Sequence, residues 1–95
     1  MASKEPVVAR HYLVRGSVQG VGFRAFVSRH AQEIGVRGWV RNTDEGDVEV
    51  LAVGTSGQLA ELAGYLRHGP MLSLVRGVDE SEAAPVQASG FSVRY

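Results

Sequence analysis

The stretch Gly16-Ser17-Val18-Gln19-Gly20-Val21-Gly22-Phe23-Arg24 decides how the chain is read. Before it, residues 9–16 alternate, with Tyr12 and Val14 on one side and Leu13 on the other, the two-residue period of a strand. After it, Phe23, Phe26, Val27, Ala31 and Ile34 recur at helical spacing, and Gly35 supplies a C-cap. Between the two, Gly16, Gly20 and Gly22 permit positive φ angles and a close approach of backbone N–H groups to a ligand. A strand, a Gly-rich turn and a helix N-terminus together make an anion cradle of oriented amides and the positive end of a helix dipole. Arg24 falls in the first helical turn, where a guanidinium can clamp a phosphate bidentately. The stretch reads as a phosphate site. It fits neither G-x-x-x-x-G-K-S/T nor G-x-G-x-x-G, and a plain strand–helix turn with a solvated Arg has the same outline.

Working outward, residues 36–43 alternate again, with Val36, Gly38 and Val40 on one face and Arg37, Trp39 and Arg41 on the other. Asp44-Glu45-Gly46 makes a turn, and residues 47–53 form its hairpin partner. Thr55 followed by Gln58 predicts a capping box. The helix it starts places Leu59, Leu62, Ala63 and Leu66 on one face and stops at Gly69-Pro70. Residues 72–78 read as a strand and residues 79–90, acidic and then small and polar, as a loop. Residues 91–95 close the sheet with Phe91, Val93 and Tyr95 inward. The order is β-α-β-β-α-β with an additional short terminal strand. Two such split βαβ units predict an α+β domain, an antiparallel sheet carrying both helices on one face. Residues 1–8 read as a lead-in and residues 9–95 as the single domain.

Composition narrows the function classes. Ninety-five residues suffice for one core, and ten acidic residues balance ten basic ones, so no general polyanion-binding surface is implied. With no cysteine there is no disulfide framework, thiolate nucleophile or thiolate metal site. The position a cysteine-dependent phosphatase would need for its nucleophile is Val18, and Ser17 has no base in the motif. His11, His30 and His68 lack metal-ligand spacing, so no metal site is expected. Asp44, Glu45, Asp47 and Glu49 read as a solvated turn whose charges would repel a phosphate. No apolar run reaches membrane-spanning length and no secretory h-region is present, which makes the cytoplasm the expected compartment. Asn42 ends its strand on the Val36/Val40 face. It reads either as a turn residue bonded to its own backbone or as a polar group offered to a site.

The cradle stretch, followed by Gly38-Trp39-Val40-Arg41-Asn42, Gly46-x-Val48-Glu49, Leu66-x-x-Gly69-Pro70 and Phe91-x-Val93-x-Tyr95, resembles the acylphosphatase family over nearly the whole chain. The resemblance implies a ferredoxin-like sandwich. It also implies hydrolysis of the carboxyl–phosphate bond of small-molecule acyl phosphates without metal or cofactor. Residue by residue, it implies phosphate contacts from Ser17, Val18, Gln19, Gly20, Val21, Gly22, Phe23 and Arg24, with Arg24 as the phosphate clamp and Asn42 as the residue that positions water. Inorganic phosphate is then product and competitive inhibitor, and a monomer without nucleic-acid or membrane partners is expected. Ser17, often basic in relatives, and the Asp44-Glu45-Gly46 turn depart from the family pattern. Two rivals stand beside this reading. One is a nucleic-acid-binding module using Arg37, Trp39 and Arg41, although a lone Trp on a sheet more often packs across a strand pair, here against Leu51. The other is a non-catalytic phosphate-binding domain on the same fold.

Overall fold

The alternating runs pair into one five-stranded sheet in the computed structural model, which describes residues 5–95. The elements are β1 (Val8–Ser17), α1 (Phe23–Ile34), β2 (Arg37–Asn42), β3 (Val48–Gly54), α2 (Ser56–His68), β4 (Leu74–Ala83) and β5 (Phe91–Arg94). Across the sheet the order is β4-β1-β3-β2-β5. β1 pairs antiparallel with β3 and β4, and β2 antiparallel with β3. β5 lies parallel to β2, so the sheet is mixed rather than antiparallel throughout. The cause is the route of the chain. β4 occupies one edge, and residues 84–90 carry the backbone to the opposite edge, where it returns in the direction of β2.

One face of the sheet is apolar because every second residue is. Tyr12, Val14, Val40, Val48, Val50 and Ala52 meet Phe23, Val27, Ala31, Leu59, Leu62 and Leu66 from the two helices in one buried cluster. Both helices therefore lie on that face, as the split βαβ pattern predicts. α1 ends where expected, at Gly35 with φ 96°, whose N–H donates to the carbonyl of Ala31. The expected capping box opens α2: Gln58 N–H donates to Thr55 Oγ1, and Thr55 N–H to Gln58 Oε1.

Three boundaries differ from the sequence reading. β1 already begins at Val8, which pairs with Gly54; of the expected lead-in, residues 1–4 lie outside the described residues. β4 starts later and runs farther than residues 72–78, taking in Asp79 through Ala83, which read as loop. The acids there are cross-strand partners: Arg15 Nε donates to Asp79 Oδ2 at 2.9 Å, and Arg10 pairs with Glu80 at 3.4 Å. Charge on an outer strand is compatible with pairing on its inner side and discourages pairing on its outer one. Tyr95, expected inward, is fully exposed.

The second face is partly roofed by the 84–90 crossing, tied down by Arg37 Nη1 to the Ala88 carbonyl (3.3 Å) and Gly38 N–H to the Gly90 carbonyl (2.9 Å). Trp39 stands opposite Leu51 in the β2–β3 register, as anticipated.

Candidate active site

The cradle is a loop pinned at both ends and open in the middle. At its entrance the β1–β4 register shifts between Arg15 and Gly16, and a Cβ on Gly16 would come within 2.1 Å of the Leu74 carbonyl oxygen. Only glycine permits that approach of β4, and it frees the chain to leave the sheet. Val18 (1% exposed) and Phe23 (2%) then anchor the loop in the core. Between them Gly20 (φ 74°) and Gly22 (φ 78°) turn the backbone, and a Cβ at either would meet nothing within 4 Å. Their glycines thus serve the positive φ and an open approach, not packing. Among the described residues, no backbone or side-chain acceptor meets the N–H groups of residues 19–23. α1 starts from this loop with Gly22 at its N-cap, no side-chain cap bond and no acid in its first turn. The positive end of the helix is therefore left without a side-chain partner.

Arg24 is held from below. Its Nη1 donates to the Arg94 carbonyl at 3.3 Å, and its guanidinium lies 4.5 Å over the Tyr95 ring. Among the described residues it makes no ion pair, so no carboxylate competes for the fork. Asn42, at the end of β2 opposite Val48, lines the same 190 Å³ pocket as Arg24. Among the described residues its side-chain amide makes no hydrogen bond to the protein. The turn role that would explain Asn42 structurally belongs to its neighbour: Asp47 N–H donates to Thr43 Oγ1 at 3.1 Å, and Thr43 N–H to the Asp47 carbonyl at 2.9 Å.

Of the residues anticipated for the site, Val18, Gly20, Gly22, Phe23, Arg24 and Asn42 border one pocket. Ser17, Gln19 and Val21 do not line it. Ser17 ends β1 opposite Leu74, Val21 packs against the core, and the Gln19 side chain turns toward the β2–β3 turn. Ala25, Val93 and Tyr95 complete the lining and were not singled out as site residues. A signal for Val93 existed in the period-2 run Phe91, Val93, Tyr95, which puts Phe91 and Val93 on the helix face; β5 ends at Arg94, so Tyr95 reaches the pocket from beyond the strand.

No Asp, Glu or His is among the residues lining the pocket. Glu49 belongs to the opposite face and is not a solvated turn residue: it meets His11 and Arg41, each at 2.5 Å. Burial alone would raise its carboxyl pKa, but the contacts from His11 and Arg41 outweigh this and hold it below the usual carboxylate range. On that face the basic–aromatic patch is already occupied internally. Arg37 bonds Ala88, Arg41 pairs with Glu49, and Arg94 lies 4.7 Å over the Trp39 ring. A larger groove of 790 Å³ opens there beside Trp39 and residues 86–90, with no amide cradle in its walls. Among the described residues no three His, Cys, Asp or Glu side chains cluster as metal ligands. Among them, too, no helix is long and apolar enough to cross a membrane.

The architecture is shared with a known class. The structure of an acylphosphatase from Coxiella burnetii is similar with a TM-score of 0.89 at 38% identity, covering 93% of each chain. The fold is therefore the ferredoxin-like sandwich of that class. At the level of sequence, the acylphosphatase family model matches residues 10–93. Acylphosphatases of Solibacter usitatus and Pasteurella multocida are 51% and 48% identical, each match covering 94% of this chain and 93% and 100% of the relative. The chain belongs to the acylphosphatase family.

Proposed function

We propose that this acylphosphatase hydrolyses acyl phosphates to a carboxylate and inorganic phosphate by direct attack of a water held by Asn42. The phosphoryl group is clamped by the loop amides and Arg24. The observation that carries the reading is the convergence of Arg24, Asn42 and the open Gly20–Gly22 backbone on one small pocket lined by no Asp, Glu or His.

An acyl phosphate is a mixed anhydride whose leaving group is a carboxylate, stable without protonation, so a strong general acid is dispensable. Three tasks remain: holding the phosphoryl oxygens, stabilising charge as it redistributes, and aiming one water in line. Unpaired amides at the α1 N-terminus and the guanidinium perform the first two. By analogy with oxyanion holes, each well-aimed donor is worth about 10²–10³ in rate. Asn42, whose amide both donates and accepts, performs the third. The water oxygen bonds to phosphorus as the phosphorus–oxygen bond to the carboxyl group breaks with its electron pair. The water's proton passes to a phosphoryl oxygen, the nearest base in a pocket lined by no Asp, Glu or His.

The test is release of phosphate from benzoyl phosphate, with and without exhaustive chelation. Turnover that survives chelation and is inhibited competitively by inorganic phosphate is expected. Activity lost on chelation and restored by one metal would overturn the mechanism. Nucleic-acid binding is disfavoured because each residue of the Arg37, Trp39, Arg41 patch faces an internal partner. Absence of a gel shift at low salt is the expected outcome.

A further inference from the structure

The two halves of the pocket sit on elements that the sheet does not join directly. The cradle leaves β1, whose neighbours are β3 and β4; Asn42 ends β2, whose neighbours are β3 and β5. An in-line displacement is sensitive to the distance between the clamped phosphorus and the water, so that spacing needs a fixed link. Gln19 makes one. Its Nε2 donates to the Thr43 carbonyl at 2.8 Å and to the Asp47 carbonyl at 2.8 Å, so both amide hydrogens are engaged. Because both partners are carbonyl oxygens, only the NH₂ end of the amide can face them, and the orientation of the side chain is unambiguous. Thr43 follows Asn42 directly, and the Thr43 N–H to Asp47 carbonyl bond closes the turn. Gln19 lies between the buried anchor Val18 and the turning residue Gly20. Among the described residues, its two bonds are the only hydrogen bonds joining loop 18–22 to turn 43–47.

We propose that Gln19 is a positioning residue that sets the distance between the phosphate cradle and the Asn42 water site. Its side chain does this, apart from any contact its backbone amide makes with phosphate. This rests on the reading of Asn42 as the holder of the attacking water. A Gln fits the task because it reaches two carbonyls at once with no charge to place beside a dianion. A Lys could donate but adds a point charge, and a Glu can only accept when ionised.

The experiment is a double-mutant cycle on the full chain, using Gln19→Met, Asn42→Ala and the double variant. kcat and KM are measured with benzoyl phosphate, alongside the inhibition constant of inorganic phosphate and a thermal melt. Gln19→Met keeps the length and removes both donors. It should lower kcat roughly 10- to 100-fold, while phosphate inhibition stays within about threefold of wild type. In the Asn42→Ala background the same change should alter kcat by less than about twofold, because the water it would misplace is no longer held. An equal loss in both backgrounds, or a lower melting point with unchanged kcat, overturns the proposal. If Asn42→Ala alone leaves kcat unchanged, the water-holding role falls first, and that single variant reveals it without any change at Gln19. Should Gln19→Met not fold, Gln19→Glu serves. Ionised, it faces two carbonyls with no donor; protonated, it regains one. Its kcat relative to wild type should then rise as pH falls toward about 4.3. A ratio independent of pH would count against the tether.

Discussion

The two helices of this protein begin in opposite ways. α2 opens with a complete capping box: Thr55 Oγ1 accepts from Gln58 N–H at 3.2 Å, and Gln58 Oε1 accepts from Thr55 N–H at 2.9 Å. α1 opens on Gly22, in the left-handed region, with no side-chain cap and no acid in its first turn. Every helix starts with N–H groups that no earlier turn can satisfy, so the two ends share one physical problem. In α2 the chain solves it internally, and a good cap is worth about 1 kcal/mol. In α1 that stabilisation is forgone, in a loop otherwise rigidly anchored by Val18 and Phe23. An uncapped end on firm supports is a preorganised receptor for an anion, the feature on which the proposed mechanism rests.

The comparison breaks most severely at Arg24. Its guanidinium adds a planar, paired donor beside the bare amides of α1, in contact with the Arg94 carbonyl and the Tyr95 ring. Arg24→Lys keeps the charge and loses the fork. kcat/KM for benzoyl phosphate should fall on the order of 10³-fold, since several aimed donor bonds go together. The melting point should stay close to wild type because the side chain is only half-buried at the pocket edge. A folded Arg24→Lys enzyme with near-normal kinetics would mean that the amides alone do the clamping.

A smaller effect sharpens the same contrast from the ligand side. If phosphate occupies the open end of α1, it stabilises the folded state in proportion to its binding, by about 2.7 kcal/mol at one hundred times its dissociation constant. For a domain of this size each kcal/mol corresponds to about 4–8 °C. Melting curves with increasing inorganic phosphate should therefore shift upward in wild type and far less in Arg24→Lys. The same shift in both proteins would point to a general salt effect instead of a site.

How much of this could be read from the residues alone follows from which interactions are local. The cradle, both helices, the hairpin and the capping box are written in short-range signals: glycines at the turns, periods of 3.6 and 2, and Thr55 with Gln58. What escaped the reading depends on partners far away in sequence. Asp79 and Glu80 read as loop because their acidity is visible and their arginine partners across the strand are not. The parallel β5 follows from a crossing route that no local pattern announces. Alternation puts Tyr95 inward, but β5 ends at Arg94, and the ring lies instead under a guanidinium from the start of α1. Glu49 reads as part of a charged turn because three acids, Asp44, Glu45 and Asp47, precede it, yet its place is on β3 between His11 and Arg41. The Gln19 side chain is the clearest case. Its place in the motif drew attention to its backbone, and only the folded hairpin supplies the two carbonyls that its amide meets.

The smallest effect lies at the other helix end, and it tests whether the contrast is real. Thr55→Ala removes the acceptor for Gln58 N–H while leaving two other bonds of Gln58 in place: Thr55 N–H to Oε1, and Nε2 to the Ile34 carbonyl at 3.2 Å. One cap bond is lost, so stability should fall by about 1 kcal/mol. The melting point should accordingly drop by roughly 4–8 °C. The Ile34 carbonyl belongs to the last turn of α1, so the box also ties the start of α2 to the end of α1 remote from the cradle. Any disturbance passed along α1 would have to cross its full length, through a core in which Phe23, Val27 and Ala31 stay buried. kcat, KM and phosphate inhibition should therefore be unchanged below the new melting transition. If Thr55→Ala instead lowers kcat with little change in melting point, the two helix ends act as one unit. The bare start of α1 could then no longer be treated as a receptor set apart from the packing of the helices.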